Sequence, residues 1–445
     1  MERVLIAGNG YAGIQAARTL AREKGISVTM VSAENRPAYC PHLLPELAAG
    51  RKQPVDLCLF DPGDDALPGV RFLAGARIEK LFPDKRKALL ESGETIGFDK
   101  ALIATGAKAW IPGSLKGIFA RCRNVFALKR MEDALALRKF LEEGAARIAV
   151  VGAGRVGMLL AEALKDAGVS VSVIEIGPRI LATMLQEDVA ARLHPVLDSR
   201  RHLKLHTGAH IADVHADGNA AREIILKDGA KIPCDVMIIA TGVEPNTGFL
   251  DGGMGDSEGI PVSPAMETGE AGIYAAGDVV RFETITGRKE VGQLVVNART
   301  QGEVAAKNIA GGKAVCPPSF IGNIVKLDPV IAARIGDIDG SDHADFTVGR
   351  SFARATLDGK AIAVCMSREN CVRLYDALTA LPDCPDDVAV IVVLPTAMAV
   401  ATPRPSIVAT DRSLLDHVTA AVGSTRPSAS KACALNCTLS PGAST

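Results

Sequence analysis

No two cysteines in this 445-residue chain stand in a C-x-x-C arrangement, although it contains ten of them. Structural zinc sites and iron–sulfur clusters gather thiolates at short, regular spacings, so the scattered pattern points to neither a metal nor a cluster. A dominant charge is also lacking: 50 Lys and Arg balance 51 Asp and Glu, for a formal net charge of −1. With no net field to attract nucleic acid or an acidic membrane surface, neither is expected as a partner. No apolar run approaches the roughly 20 residues that span a bilayer. The N-terminus passes from Met-Glu-Arg straight into a strand, without the charged, apolar and small-residue regions of a signal peptide. A cytoplasmic protein is expected. The length is enough for two or three domains, each burying its own core.

What is present is glycine, placed twice in the same way. Arg3-Val-Leu-Ile-Ala7 is a short apolar strand, followed by Gly8-Asn-Gly10-Tyr-Ala-Gly13 and an amphipathic helix through about Glu23. In such a G-x-G-x-x-G turn the first glycine makes the bend, the second lets a pyrophosphate approach the backbone, and the third lets helix pack on strand. The next strand, Ser27–Val31, should lead to an acid for the adenosine ribose. Ser32 stands near the expected spacing and Glu34 follows two residues later, which makes Glu34 the candidate. The arrangement then recurs: Arg147–Val151, Gly152-Ala-Gly154-Arg-Val-Gly157, a helix, and a strand ending at Glu175, 23 positions beyond Gly152. A carboxylate there accepts both ribose hydroxyls of NAD and repels the 2′-phosphate of NADP by roughly 1 to 4 kcal/mol. NADH is therefore favoured over NADPH.

Two further stretches repeat. Phe98-Asp-Lys-Ala-Leu-Ile-Ala-Thr105-Gly106 and Cys234-Asp-Val-Met-Ile-Ile-Ala-Thr241-Gly242 each read as an apolar strand ending in Ala-Thr-Gly. One dinucleotide-binding design thus occurs twice, with the second copy inserted into the first. Near the end of the repeat, Ala271–Val280 reads as a buried strand whose glycine turn presents Asp278, after Gly277, to a hydroxyl-rich ligand. His202, His206, His210 and His215 are half of the eight histidines, but the alternating pattern around them favours solvated strand positions over metal ligands.

In order and spacing, residues 1 to about 312 resemble the two-dinucleotide flavoproteins of the pyridine nucleotide-disulfide oxidoreductase family. The resemblance implies an α/β fold with two Rossmann-like domains, an FAD domain (1–110 and 246–312) split by an inserted NAD domain (111–245), and a C-terminal α+β interface domain (313–423) for homo- or hetero-oligomer formation. It implies that Asp278 holds the ribityl chain of FAD, that both Ala-Thr-Gly turns lie beside bound dinucleotide, and that the helix within 293–311 starts near the flavin ring. In the single-cysteine branch a redox cysteine stands three residues before a proline; here His42 holds that place before Pro45, and Cys40 lies two residues earlier. His42 is a candidate for proton transfer near the flavin and Cys40 a candidate redox thiol. Relatives commonly carry an aromatic residue and a glutamate where this chain has Arg155 and Leu159.

The resemblance implies an FAD-containing NADH:acceptor oxidoreductase whose electrons pass to a redox protein or iron–sulfur subunit, as the NAD-coupling subunit of a larger complex. A self-contained NADH oxidase or disulfide reductase using Cys40, and a non-catalytic FAD/NAD redox sensor, are the alternatives. Beyond 312, Ser319–Leu327 and a hairpin over Phe352–Cys365 with an Asp-Gly turn are expected, as is a buried strand over Val388–Pro395. The Ser-, Thr- and Pro-rich residues 424–445 are expected to be a disordered tail, with Cys433 and Cys437 as bystanders.

Overall fold

The computed structural model describes residues 1–59, 67–185, 187–250, 253–283, 289–291, 294–317 and 322–328, and beyond them only the strands named below. It divides into two units, Met1–Thr183 with Glu187–Phe282 and Lys289–Cys316, and Pro317–Thr445 with Met184–Gln186 and Glu283–Arg288.

In the first unit, the apolar run after Arg3 forms the strand Glu2–Ala7, buried on both faces as a central parallel strand must be. It pairs in parallel with Ile26–Ser32 on one side and Lys100–Ile103 on the other. Val70–Ala74 and Ile273–Ala275 complete a five-stranded sheet. The helices Tyr11–Leu20 and Val295–Ile309 cover one face, burying Ile6, Leu20, Met30, Leu102 and Ile309. The two helices pack so closely that a Cβ on Gly302 would lie 2.3 Å from the Ala12 carbonyl oxygen. Phe98, Leu81, Ile103 and Val280 fill the other face.

The second sheet repeats the first. Arg147–Val151 is flanked by Ser170–Ile174 and Val236–Ile239, with Leu203–His206 and Val125–Ala127 at the edges, all parallel. The repetition reaches single hydrogen bonds. Gly8 N–H donates to Val31 O at 2.8 Å, and Gly152 N–H to Ile174 O at 2.7 Å. Asp99 clasps the start of the first sheet through Arg3 (Nη2 to Oδ1, 2.8 Å), and Asp235 clasps the second through Arg147 (2.5 Å). The copies differ in one respect. The edge strand Ile273–Ala275 follows the insertion, whereas Val125–Ala127 precedes its own glycine turn.

The two crossings between the sheets run side by side, Ala107–Ala109 pairing antiparallel with Val243–Pro245. Asn246 N–H donates to Gly106 O at 2.9 Å, and Thr105 Oγ1 donates to Asn246 O at 3.0 Å.

Several expectations are corrected. The four histidines do not share one solvated setting: Leu203–His206 is an edge strand of the parallel sheet, and Ile211–Asp217 pairs with Ala220–Leu226. His202 and His206 are half-buried with their Nε2 atoms enclosed, while His210 and His215 are exposed. In the second unit, Ser351–Thr356 and Ile362–Cys365 belong to different sheets, so the hairpin over Phe352–Cys365 does not form. Ser351–Thr356 already has partners on both edges, His343–Val348 and Val330–Ile335. Ala389–Val393 is a strand, as expected from its apolar run, between Ile362–Cys365 and Ala397–Ala401. Leu435–Thr438, placed in the tail by composition, is a strand paired with Ser406–Asp411, because the local run Leu-Asn-Cys-Thr can extend an open sheet edge. Beyond residue 317 the described elements are strands; the helices of an α+β domain, and Cys433, lie outside the described residues.

Candidate active site

At the first turn, Gly8 has φ +112° and a Cβ there would meet the Ala104 carbonyl oxygen at 2.2 Å, while one on Gly13 would meet Gly8 O at 2.0 Å. Both glycines are demanded by the protein's own packing. Gly10 is different: its φ of −72° suits any residue, and a Cβ there would have no protein atom within 4 Å. With neither packing nor φ requiring glycine there, the bare backbone leaves the turn open to a group from outside the chain. The second turn behaves alike, with Cβ atoms on Gly152 and Gly157 at 2.5 and 2.1 Å from carbonyl oxygens and one on Gly154 in open space. Each turn thus leaves room at a helix N-terminus, where unpaired N–H groups attract anions.

The first turn opens into a cavity of about 750 Å³ that gathers Gly8, Gly10 and Glu34, Thr105 and Gly106, and Gly277 and Asp278. Gly13 lies beneath the turn, and Cys40 and His42 flank the cavity through Tyr39 and Pro41 in its wall. Ser32 is a turn-former rather than a ligand: its Oγ donates to Asn9 Oδ1 at 2.9 Å and receives the Glu34 N–H at 3.2 Å. Glu34 Oε2 accepts the Tyr39 hydroxyl at 2.8 Å. Burial pushes the Glu34 carboxyl above its ordinary range, with the Tyr39 bond pulling it back. Asp278 is likewise pushed up by burial and pulled back by the charges of Lys129 and Arg155. Its turn is held by Gln301, which is 1% exposed and whose Oε1 accepts the Gly277 N–H at 2.8 Å.

Cys40 Sγ accepts the Tyr11 hydroxyl at 3.0 Å, and the Arg299 guanidinium lies 5.6 Å from the centre of the Tyr11 ring. Burial holds the Tyr11 phenol well above its usual range. Tyr39 pairs directly with Cys58 across two antiparallel segments, so Cys40, the next residue, projects to the face opposite Cys58. His42 stands beside the short helix Leu44–Ala48 with its residue surface open but its ring partly crowded by protein; that partial desolvation and the charge of Arg155 draw it below the ordinary histidine range. Arg155 itself is lowered by burial and steadied by Asp278.

At the second glycine turn, Glu175 accepts Ala153 N–H at 2.7 Å on Oε2 and Gly177 N–H at 2.8 Å on Oε1. Each oxygen keeps a second lone pair for a hydroxyl. Leu159 is half-buried, and the acid one turn further on, Glu162, is engaged with Arg200 at 2.6 Å and Lys165 at 3.0 Å. Thr241 Oγ1 donates to Trp110 O at 2.8 Å beside Gly242, so both Ala-Thr-Gly threonines brace the crossings. Sequence reading missed Tyr11, Tyr39, Lys129, Arg130 and Asn246 in the cavity wall. Only the basic pair before a helix start carried a local signal.

The family model for pyridine nucleotide-disulphide oxidoreductases matches residues 2–302. The chain belongs to this family. It is 29% identical over 315 residues to the epsilon subunit of the NADH-dependent phenylglyoxylate dehydrogenase of Aromatoleum evansii, covering 70% of this chain and 73% of that one. It is 30% identical over 351 residues to an NADH oxidase of Methanocaldococcus jannaschii, covering 76% and 75%. A NAD-dependent persulfide reductase from A. fulgidus superposes with a TM-score of 0.70 at 26% identity, over 77% of this chain and 66% of that one. The cofactors are FAD and NAD(H), and the chain is an FAD-containing NADH:acceptor oxidoreductase. The residues present fit both groups: each turn has a glycine whose missing side chain no protein atom explains, followed by a carboxylate with acceptor capacity to spare. Among the described residues no helix is long and apolar enough to cross a membrane, and no cluster of His, Cys, Asp and Glu could hold a metal.

Proposed function

We propose that the chain exchanges a hydride between NAD(H) and FAD and hands the electrons to a redox protein or iron–sulfur subunit, as the NAD-coupling subunit of a larger complex. FAD supplies the chemistry, taking up an electron pair as hydride and releasing electrons onward. The residues bind and orient. The helix N-terminus behind Gly10 would receive the FAD pyrophosphate, Glu34 the adenosine ribose, and Asp278 the ribityl hydroxyls, with Thr105 and Gly106 alongside. Gly154 and Glu175 would hold the pyrophosphate and ribose of NAD, beside Thr241 and Gly242. The start of the Val295–Ile309 helix suits the negative charge of a reduced flavin. Residues 1–110 and 246–312 then form the FAD domain, 111–245 the NAD domain, and 313–423 an interface domain.

The onward route rests on Cys40. Its sulfur is held by Tyr11 and turned away from Cys58, so this segment offers no dithiol to store a second electron pair. Likeness to a subunit of a dehydrogenase complex supports the same route. An anaerobic NADH titration of the purified chain tests it: about two electrons per FAD are expected at full reduction. About four would overturn it in favour of a self-contained oxidase or disulfide reductase using Cys40. The Tyr11 hydroxyl favours that second reading, since it sets a proton donor directly on the Cys40 sulfur.

A further inference from the structure

The hydroxyl of Tyr39 stands between two parts of the molecule that the cofactor reading treats separately. Its oxygen lies 2.8 Å from Glu34 Oε2 and 3.1 Å from the backbone nitrogen of Met131. A backbone N–H can only donate, so the Tyr39 oxygen accepts from Met131 and its own hydrogen goes to Glu34. Met131 opens the helix Met131–Glu142, whose first-turn N–H groups have no partner within the helix. Asp133 Oδ2 accepts from Lys129 and Arg130 just before that helix, at 2.9 and 2.7 Å, leaving the Met131 N–H for Tyr39. The same two segments are joined again by Arg36 and Glu132, at 2.5 Å. Lys129, Arg130 and Asp133 also line the cavity.

We infer that Tyr39 is a positioning residue: it aims the Glu34 carboxylate at the adenosine ribose of FAD and, through its bond from Met131, ties FAD binding to the order of the helix that leads into the NAD-binding unit. The inference rests on the reading of Glu34 as the ribose acid. With Oε2 held by the phenol, the ribose hydroxyls meet a carboxylate already fixed in rotation, and fixing it on one side fixes the start of the helix on the other. The adenosine end of FAD, and not only its flavin, then speaks to the nicotinamide side of the enzyme.

The test is a double-mutant cycle on FAD affinity, measured by quenching of flavin fluorescence on adding FAD to the apoprotein, with Glu34→Ala, Tyr39→Phe and the pair. Glu34→Ala is expected to weaken FAD by about 100-fold and Tyr39→Phe by about 10-fold, as for loss of hydrogen bonds to a charged group. The pair is expected to be no weaker than Glu34→Ala alone, because Tyr39 acts through Glu34. Amide exchange supplies a readout that general destabilisation does not mimic. FAD should slow exchange at Met131 in the natural chain and leave it unchanged in Tyr39→Phe, while protection in the strand Arg147–Val151 stays the same in both. If Glu34→Ala binds FAD normally, the ribose assignment fails and the inference falls with it. If Glu34→Ala weakens FAD but Tyr39→Phe stays within twofold, or the two losses multiply in the pair, the ribose assignment stands and the role of Tyr39 is refuted.

Discussion

Replacing Gly10 by alanine separates what the fold needs from what the cofactor needs. The residue has φ −72° and ψ −173°, a conformation open to alanine, and the new methyl would meet no protein atom within 4 Å. Alanine has fewer unfolded conformations to lose, so the apoprotein should keep its stability or gain about 0.4–1 kcal/mol. The methyl instead occupies the approach to the helix N–H groups. Losing one charge-assisted hydrogen bond of about 1.5–3 kcal/mol weakens FAD by roughly 10- to 150-fold. Gly13→Ala should do the reverse, because its methyl would sit 2.0 Å from Gly8 O and must drive helix from strand, at a cost above about 2 kcal/mol. Thermal melting of the apoproteins and FAD titration of each variant give the two numbers. The reasoning is refuted if Gly10→Ala melts several degrees lower while binding FAD like the natural chain.

Other consequences follow from the same geometry. Glu175→Ser should raise the Kd for NADH by about 10-fold and narrow the preference over NADPH, read from stopped-flow reduction of the flavin with each nucleotide; an unchanged preference would place the discrimination elsewhere. Cys40→Ser should leave flavin reduction by NADH within about twofold, whereas collapse of turnover with an artificial acceptor would assign the thiol to the reaction. The Arg147 guanidinium, helped by the N–H groups of Ala146 and Arg147, holds the Asp235 carboxyl down to about 2. A carboxyl lowered on folding stabilises the protein above its unfolded value near 4 and loses that contribution as pH falls towards 2. Since Arg147 is half exposed, solvent screening leaves about 1 kcal/mol. Asp235→Asn should therefore lower stability to urea at pH 7 by that amount and make no difference near pH 2.

The glycine turns could be read from the sequence because their demands are steric and local: strand, bend and helix lie within a dozen residues, and no other residue fits the close contacts at Gly8, Gly13, Gly152 and Gly157. The place of Glu175 was legible for the same reason, a carboxylate at a strand end beside the second turn, where it accepts Ala153 N–H. Tyr39, Gln301 and Asn246 were not, because their meaning depends on partners 92, 24 and 141 positions away. The histidines of 202–215 misled through periodicity: alternation indicates a strand but not what covers it, and the enclosure of His202 and His206 is set by neighbours distant in sequence. Beyond residue 317 the Asp-Gly signal at 358–359 misled, because turn chemistry is local while strand pairing is not: Ser351–Thr356 pairs with His343–Val348 and Val330–Ile335.

The paired crossings at Ala107–Ala109 and Val243–Pro245 give the nucleotide unit the character of a cassette. Its entry and exit are pinned by the bond from Asn246 N–H to Gly106 O, so the host sheet sees a short stem, and the length of chain beyond it enters the closure entropy only logarithmically. Exchange of the inserted unit by recombination then needs conservation of the stem and little else. The stem is then the place where such a unit can be cut out and rejoined without disturbing the host sheet.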